Sequence, residues 1–292
     1  MHTKPLSVSV IIPVYNEERV IANTLEQLAA ITSQIKNAAF SIICVDDGST
    51  DDTGKILQRI TGIKLITHPS NRGYGAALKT GINSTNDDWI FIVDADNTYP
   101  LQQLEAMIDE ASAHDMVIGS RGGKGISFYP HKRLARWILR KIVHVLTGIM
   151  VPDLNSGMRL FKKSLYNEFC HLLPMGFSFT TTLTVASLYS GYRIKFIPIN
   201  YSHRTGSSNI RPVKDFFGFM LLIIRLASYF EPLSFFIPIS VVLVIIGILR
   251  GIRDIFVVNS IGSLSVIICL MGLQFFFTGV IADVLVRRSN KK

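Results

Sequence analysis

Short apolar runs alternate with stretches of helical spacing through the first 120 or so residues. LSVSVII (6–12), FSIICV (40–45), IKLIT (63–67) and WIFIV (89–93) are rich in β-branched and aromatic residues, and DMVI (115–118) opens a further run. Their length and composition predict strands. Between them, residues 17–31 place Val20, Ile21, Leu25, Leu28 and Ile31 on one helical face. Thr50-Asp51-Asp52 supplies capping-type residues for a second helix, and residues 76–82 read as a third. This alternation predicts an α/β domain built on a mostly parallel sheet with helices on both faces. The strands are nearly continuous in apolar residues, as a sheet covered on both sides requires.

The pattern changes after residue 130. Residues 131–148 are helical and basic, with Lys132, Arg133, Arg136, Arg140 and Lys141 punctuating apolar positions. Residues 215–230 carry only Asp215 and Arg225 as charges and read as a helix lying at a membrane interface. Two uncharged stretches follow, 233–249 and 255–282. A span needs roughly 20 apolar residues, so the first is short and the second ample. The expected link is 250–254, giving a hairpin. Arg287, Arg288, Lys291 and Lys292 make a basic tail, which the positive-inside rule assigns to the cytoplasm. Two spans return the N-terminal domain to that side, and residues 1–12 do not read as a signal peptide. The expectation is a multi-pass inner-membrane protein with both termini and the α/β domain cytoplasmic. It divides into an α/β domain (1–210), an interfacial amphipathic helix (211–232) and a transmembrane hairpin with its tail (233–292). Gly247, Gly251 and Gly262 with Ser263 would let helices approach closely, so a homo-oligomer is a possible assembly.

Net charge is +9 and hydrophobic residues make up 48% of the chain, concentrated toward the C-terminus. Together these favour an anionic membrane surface and phosphorylated ligands over nucleic acid, for which no zinc-finger, RNP or basic-zipper pattern exists. Cys44, Cys170 and Cys269 form no CxxC or metal spacing and read as reduced packing residues. His68 and His203 also lack ligand spacing and read as structural.

Polar clusters sit just beyond the ends of three predicted strands: Pro13–Glu17, Asp46–Ser49 and Asp94–Asp96. Open α/β sheets bind ligands outside those ends. Asp94 and Asp96, one residue apart, can together hold a hard divalent cation, which would neutralise a diphosphate leaving group. A solvated acidic turn would look the same in isolation. Three clusters on one edge favour a nucleotide pocket, in which Asp46 or Asp47 accepts from base or ribose, or else caps the next helix. Asp51 and Asp52 read as caps. Gly73-Tyr74-Gly75 matches part of a dinucleotide fingerprint, but Leu78 replaces its third glycine, so it reads as a loop and helix start. Arg133 to Trp137 lacks the Gln of the processive-synthase motif that it otherwise suggests.

Taken in order, PVYNE (13–17), VDDGSTDDT (45–53), NRGYGAALKTG (71–81), DAD (94–96), GSR (119–121), DLNSGMRLF (153–161) and HRTGSSN (203–209) resemble family 2 glycosyltransferases of the nucleotide-diphospho-sugar (GT-A) fold. The series is most similar to the polyprenyl-phosphate sugar transferases of the dolichyl-phosphate mannose synthase group. It covers residues 6–230, and the two-helix tail suits bacterial members. The resemblance implies that Pro13, Tyr15, Glu17, Asp46 and Asp47 line the nucleotide site. It implies that Asp94 and Asp96 hold Mg²⁺ or Mn²⁺ and the donor diphosphate. Arg121, Arg133 and Arg204 would bind donor or acceptor phosphates, with Ser208 assisting Arg204, since a guanidinium fork pairs with phosphate at two points. The sequence departs from the group at Asn97-Thr98-Tyr99, where the mannose synthases carry Leu-Gln, at Arg136, where they carry Ser, and at Asn209, where they carry Lys.

A phosphate acceptor also suits the chemistry. A sugar hydroxyl needs a general base, whereas a lipid phosphate is ionised at neutral pH. The chain offers many cations in its middle and no Thr-Glu-Asp base motif. The expected activity is inverting, metal-dependent transfer of a hexose-type sugar from a UDP- or GDP-sugar to polyprenyl phosphate. Two other readings are a family 2 enzyme acting on a hydroxyl acceptor in lipid-linked glycan or polysaccharide synthesis, and a non-enzymatic membrane scaffold with a degenerate sugar-binding domain.

Overall fold

The computed structural model describes residues 5–121, 141, 143–144, 148–176, 178–201, 229 and 232–289. The expected basic helix is represented there only by its last part, and the 211–232 helix by Tyr229 and Pro232. Arg133, Arg204 and Ser208 lie outside the described residues. The chain separates into two compact units, residues 1–215 and 216–292.

In the first unit the described strands are β1 (Leu6–Val14), β2 (Ala38–Asp46), β3 (Ile63–Thr67), β4 (Trp89–Ile92), β5 (Met116–Arg121), β6 (Arg159–Lys162) and β7 (Ile194–Ile199). The helices are α1 (Ile21–Gln34), α2 (Thr53–Arg59), α3 (Tyr74–Asn83), α4 (Leu104–Glu110), α5 (Lys163–Phe169) and α6 (Phe179–Tyr189). The strands form one sheet in the order β3-β2-β1-β4-β6-β5-β7. β1, β2, β3 and β4 run parallel, and β5 is parallel to β7. β6 is antiparallel to both neighbours.

Val8, Val10, Ile11, Ile12, Ile90, Phe91 and Ile92 are fully buried, as a two-faced sheet demands. One exception inside β1 is Ser9, also fully buried, which is satisfied by Ser41 (2.8 Å), Thr85 (2.7 Å) and Asp87 (2.6 Å).

The antiparallel β6 decides what meets at the site edge. Because it runs against β4, its start lies at the same edge as the C-terminal ends of the parallel strands. Arg159 pairs with Ile92, two residues before Asp94. The polar run 153–157 is thereby delivered to the Asp94–Asp96 turn.

The second unit is an antiparallel pair, α7 (Pro232–Val258) and α8 (Ser263–Ser289). Here the sequence expectation is corrected: residues 250–254 are not the link. Arginine is a good helix former, and α7 continues through Arg250, Arg253 and Asp254. The break comes at 259–262, where Asn259 adopts φ 54°, a left-handed conformation that commonly terminates helices. Each helix is 27 residues, about 40 Å long, and both contain a stretch long and apolar enough to cross a membrane. The two helices face each other through small residues. A Cβ on Gly247 would lie 3.0 Å from the Cys269 backbone, and one on Gly272 would lie 2.7 Å from Val244. Ser240 donates to the Gly272 carbonyl (2.8 Å) and Ser265 to Asp254 (2.6 Å). Gly247 and Gly262 thus serve contacts within one chain. Phe256, Val257, Leu249, Ile281 and Leu285 are exposed, so the pair is apolar outward as well as inward, the pattern of lipid-facing helices.

Candidate active site

The loop after β1 and the loop after β2 are laced together. Asn16, at φ 54°, accepts the Thr50 N–H (2.8 Å) and donates its own N–H to Ser49 (3.0 Å). The Glu17 N–H reaches Thr53 (2.9 Å), and the Asp51 carboxylate accepts from the Glu18 and Thr53 N–H groups (3.3 and 3.0 Å). These bonds hold residues 15–20 as a turn, so α1 starts at Ile21 rather than at Glu17. They leave Tyr15 at 37% exposure beside the edge.

Asp46 and Asp47 are both buried. Asp46 accepts the Ser49 N–H (2.9 Å) and closes its own loop. Asp47 gathers the loop ahead of α3. One of its oxygens accepts the Arg72 N–H (3.0 Å) and lies 2.6 Å from His68 Nδ1, and the other accepts the Gly73 N–H (2.7 Å). His68 Nε2 in turn lies 2.9 Å from the Thr80 hydroxyl. Both carboxylates therefore organise the edge from within. A carboxylate offers about four acceptor positions, so this engagement is compatible with a ligand contact.

Two groups that the sequence reading did not assign fix Asp94. The Tyr74 hydroxyl donates to Oδ1 at 2.9 Å. Burial, and then the Asp94 charge, push the Tyr74 phenol well above its usual range, so it remains a donor. On the other side Gly157 lies so close that a Cβ built there would fall 2.7 Å from Asp94 Cγ. The Gly157 N–H is held by the Tyr99 hydroxyl at 2.7 Å. Asp96 is shaped by Thr98, whose N–H (3.2 Å) and hydroxyl (2.6 Å) both donate to Oδ1. Asn97 between them is exposed at φ 55°.

Arg121, at the end of β5, lies at this edge and is paired. Its Nε and Nη2 grip Asp153 at 2.7 and 2.9 Å, a two-point ion pair whose side chains are 17% and 11% exposed. Burial opposes the Asp153 charge, but the Arg121 hydrogen bonds and charge outweigh it and hold the carboxyl below its usual range. The guanidinium also lies 5.4 Å from the Tyr201 ring centre, and Tyr201 meets Tyr99 edge-on at 5.0 Å.

Behind the edge, Arg159 is fully buried. Its side chain donates to neutral groups: the Ser156 carbonyl (3.2 and 2.5 Å), the Thr180 carbonyl (2.8 Å) and the Thr184 hydroxyl (3.0 Å). Burial lowers its pKa to about 10, which still leaves it charged at neutral pH. Arg159 ties the 156–157 turn to α6 and so backs the glycine that presses on Asp94. Tyr74, Asp153, Gly157 and Arg159 all lay within motifs quoted from the sequence. Each role depends on at least one partner between 20 and 63 positions away, which no local spacing encodes.

Asp94 and Asp96 can supply two carboxylate ligands. Among the described residues no group of three or more His, Cys, Asp and Glu side chains comes together. Such a donor set fits Mg²⁺ or Mn²⁺ taking the rest of its shell from phosphate oxygens and water.

Residues 9–170 match the family described as glycosyl transferase family 2. The chain belongs to that family and is a glycosyltransferase. Residues 231–287 match a second family, described as the GtrB C-terminal hairpin. A dolichyl-phosphate hexose transferase of Haloferax volcanii is 28% identical over 206 residues, covering 70% of this chain and 86% of the relative. An undecaprenyl-phosphate 4-deoxy-4-formamido-L-arabinose transferase of Aeromonas hydrophila is 28% identical over 162 residues, covering 53% of this chain and 49% of that one. Among solved structures, glucosyl-3-phosphoglycerate synthase of Mycobacterium tuberculosis with Mn²⁺, UDP-glucose and phosphoglyceric acid superposes with a TM-score of 0.59 at 20% identity, over 76% of this chain and 79% of that one. That likeness establishes the GT-A fold.

A first test addresses the glycine. In this glycosyltransferase, Gly157→Ala forces the Asp94 carboxylate aside. A displacement of about 1 Å at a reacting centre can cost on the order of 10²-fold in rate. Turnover should fall by that order while far-UV circular dichroism is unchanged; wild-type turnover in the variant would show that the close approach is not used.

Proposed function

We propose that this chain is an inverting glycosyltransferase that moves a hexose-type sugar from a UDP- or GDP-sugar to polyprenyl phosphate at the cytoplasmic face of the membrane. The observation that carries the reading is the pairing of Asp153. The segment that meets Asp94 at Gly157, residues 149–157, brings one carboxylate, and Arg121 holds it at 2.7 Å in an ion pair. A hydroxyl acceptor would need a free base at such a place; an ionised phosphate needs none. The names of the Haloferax and Aeromonas relatives support a polyprenyl-phosphate acceptor.

Asp94 and Asp96 would hold Mg²⁺ or Mn²⁺, whose charge offsets that of the departing diphosphate. The chain's own residues do the rest by positioning. Tyr74 and Gly157 orient Asp94, and Thr98 orients Asp96. Pro13, Tyr15, Glu17, Asp46 and Asp47 border the nucleotide. Arg133 and Arg204, assisted by Ser208, supply the positive charge that receives donor and acceptor phosphates, and Arg121 joins them only by sharing its guanidinium between Asp153 and a phosphate. An acceptor phosphate oxygen attacks the anomeric carbon from the face opposite the diphosphate. The carbon–oxygen bond to the nucleoside diphosphate breaks, its electron pair leaves with the diphosphate, and the configuration inverts. The basic tail and the pairing of two apolar helices among the described residues support a cytoplasmic site.

The test is transfer by purified, detergent-solubilised protein supplied with undecaprenyl phosphate, Mg²⁺ or Mn²⁺ and radiolabelled UDP- and GDP-sugars. Label entering the lipid phase and lost with EDTA supports the reading and identifies the sugar. Transfer to a saccharide, with none to the lipid, would establish the hydroxyl-acceptor activity instead.

A further inference from the structure

The first unit is polar over most of its described surface. Its exposed large apolar side chains, among the described residues, are Tyr15 (37%), Ile149 (43%), Met150 (77%) and Met175 (53%). Single exposed apolar residues are ordinary on a soluble domain. Here all four lie on loops at the site edge of the sheet. Tyr15 directly follows the last residue of β1. Met175 is seated on the start of α3, its carbonyl accepting the Ala76 N–H at 2.9 Å, two residues from the Tyr74 that holds Asp94. Ile149 and Met150 run straight into the 153–157 segment that touches Arg121 and Asp94. The opposite edge is closed by 84–88 (STNDD), 111–115 (ASAHD) and 190–193 (SGYR), which are mostly polar or small.

The charge of the neighbouring sequence says what covers such an edge. The residues leading into Ile149 carry Lys132, Arg133, Arg136, Arg140 and Lys141, of which Lys141 is described and exposed. Protruding apolar side chains that follow a basic stretch in the sequence match the headgroup layer of an anionic bilayer, where cations meet lipid phosphates and apolar tips enter the acyl boundary. The chain also carries helices long and apolar enough to keep it at a membrane.

We propose that the site edge of the catalytic unit is a membrane-docking surface, on which Met150 and Met175 enter the headgroup layer of an anionic bilayer. Docking of this kind opens the carboxylate pair toward lipid rather than bulk water. It does not depend on which sugar or acceptor the enzyme uses.

The test uses the full chain reconstituted in phosphatidylcholine–phosphatidylglycerol vesicles that contain no polyprenyl phosphate. Cys170 and Cys269 are replaced by Ser, and buried Cys44 is left in place. An environment-sensitive fluorophore is attached at Met150→Cys, at Met175→Cys or, on the opposite edge, at exposed Ser112→Cys. The expected result is blue-shifted emission at 150 and 175, quenched several-fold more by a spin-labelled lipid than at 112, and shielded from aqueous iodide. Equal iodide access at all three positions, with no lipid quenching, would overturn the proposal. So would quenching at 150 and 175 that emerges only when polyprenyl phosphate is added, since those residues would then follow the acceptor rather than the bilayer. Neither readout requires turnover, so an inactive preparation still decides the question.

Discussion

Asp96→Asn is expected to lower sugar transfer by on the order of 10³-fold, the scale of losing one principal electrostatic stabiliser of the departing group, here the cation that Asp96 would hold. Asparagine keeps the side-chain oxygen that accepts the Thr98 N–H and hydroxyl, so the turn persists while the negative charge disappears. The substitution separates charge from shape. Mn²⁺ affinity, read by electron paramagnetic resonance in the presence of the nucleoside diphosphate, should weaken in parallel, and excess Mn²⁺ should restore part of the rate. The melting temperature should hardly move, because Asp96 lies on a partly exposed turn. Asp94→Asn should behave similarly in rate, but its oxygen is gripped by Tyr74, so its metal affinity should be less recoverable. Full transfer by Asp96→Asn would remove the carboxylate pair from the mechanism.

Arg159→Met carries the largest expected loss of stability, about 1–3 kcal/mol, the cost of leaving a buried acceptor without its donor. The variant leaves the Ser156 and Thr180 carbonyls and the Thr184 hydroxyl without their guanidinium donor in a fully buried place. Arg159→Lys should recover only a fraction, since an ammonium cannot reach both Ser156 and α6 with the geometry of the planar fork. Chemical denaturation of the full chain in detergent, following a signal confined to the α/β unit, gives the measurement. A loss below about 1 kcal/mol would mean that water or a neighbouring hydroxyl replaces the donor. At denaturant concentrations where the Lys variant remains folded, its turnover should still fall, because the 156–157 turn no longer presses firmly on Asp94.

Much of the first unit was legible in the chain itself. The strand positions of β1 through β5 follow from continuous apolar runs, and the position of the Asp94–Asp96 turn follows from the end of one. The seven motifs in order pointed to the family that residues 9–170 then matched. Less legible were β6 and β7. RLFK and IKFIPI are short, and their partners lie far away in sequence, so neither a period nor a turn signal marks them. The hairpin link was misplaced for a related reason. Charge suggests a break at 250–254, whereas the helix ends at Val258 and the left-handed Asn259 follows it, where conformation rather than polarity decides.

The candidate site divides along the same line. Apolar patterning fixed which residues stand at strand ends, because burial on both faces of a parallel sheet leaves polar groups only at the edges. That was enough to single out Tyr15, Glu17, Asp46, Asp47, Asp94 and Asp96, while Arg121 was named by the family resemblance alone. Tertiary structure alone decided how those groups are engaged. Asp47 is bound to His68 and the 72–73 backbone, and Arg121 is bound to Asp153. The antiparallel direction of β6 brings Gly157 against Asp94 and Arg159 behind it. Strand direction and long-range pairing are settled by packing between segments distant along the chain, and a one-dimensional pattern of polar and apolar positions carries neither.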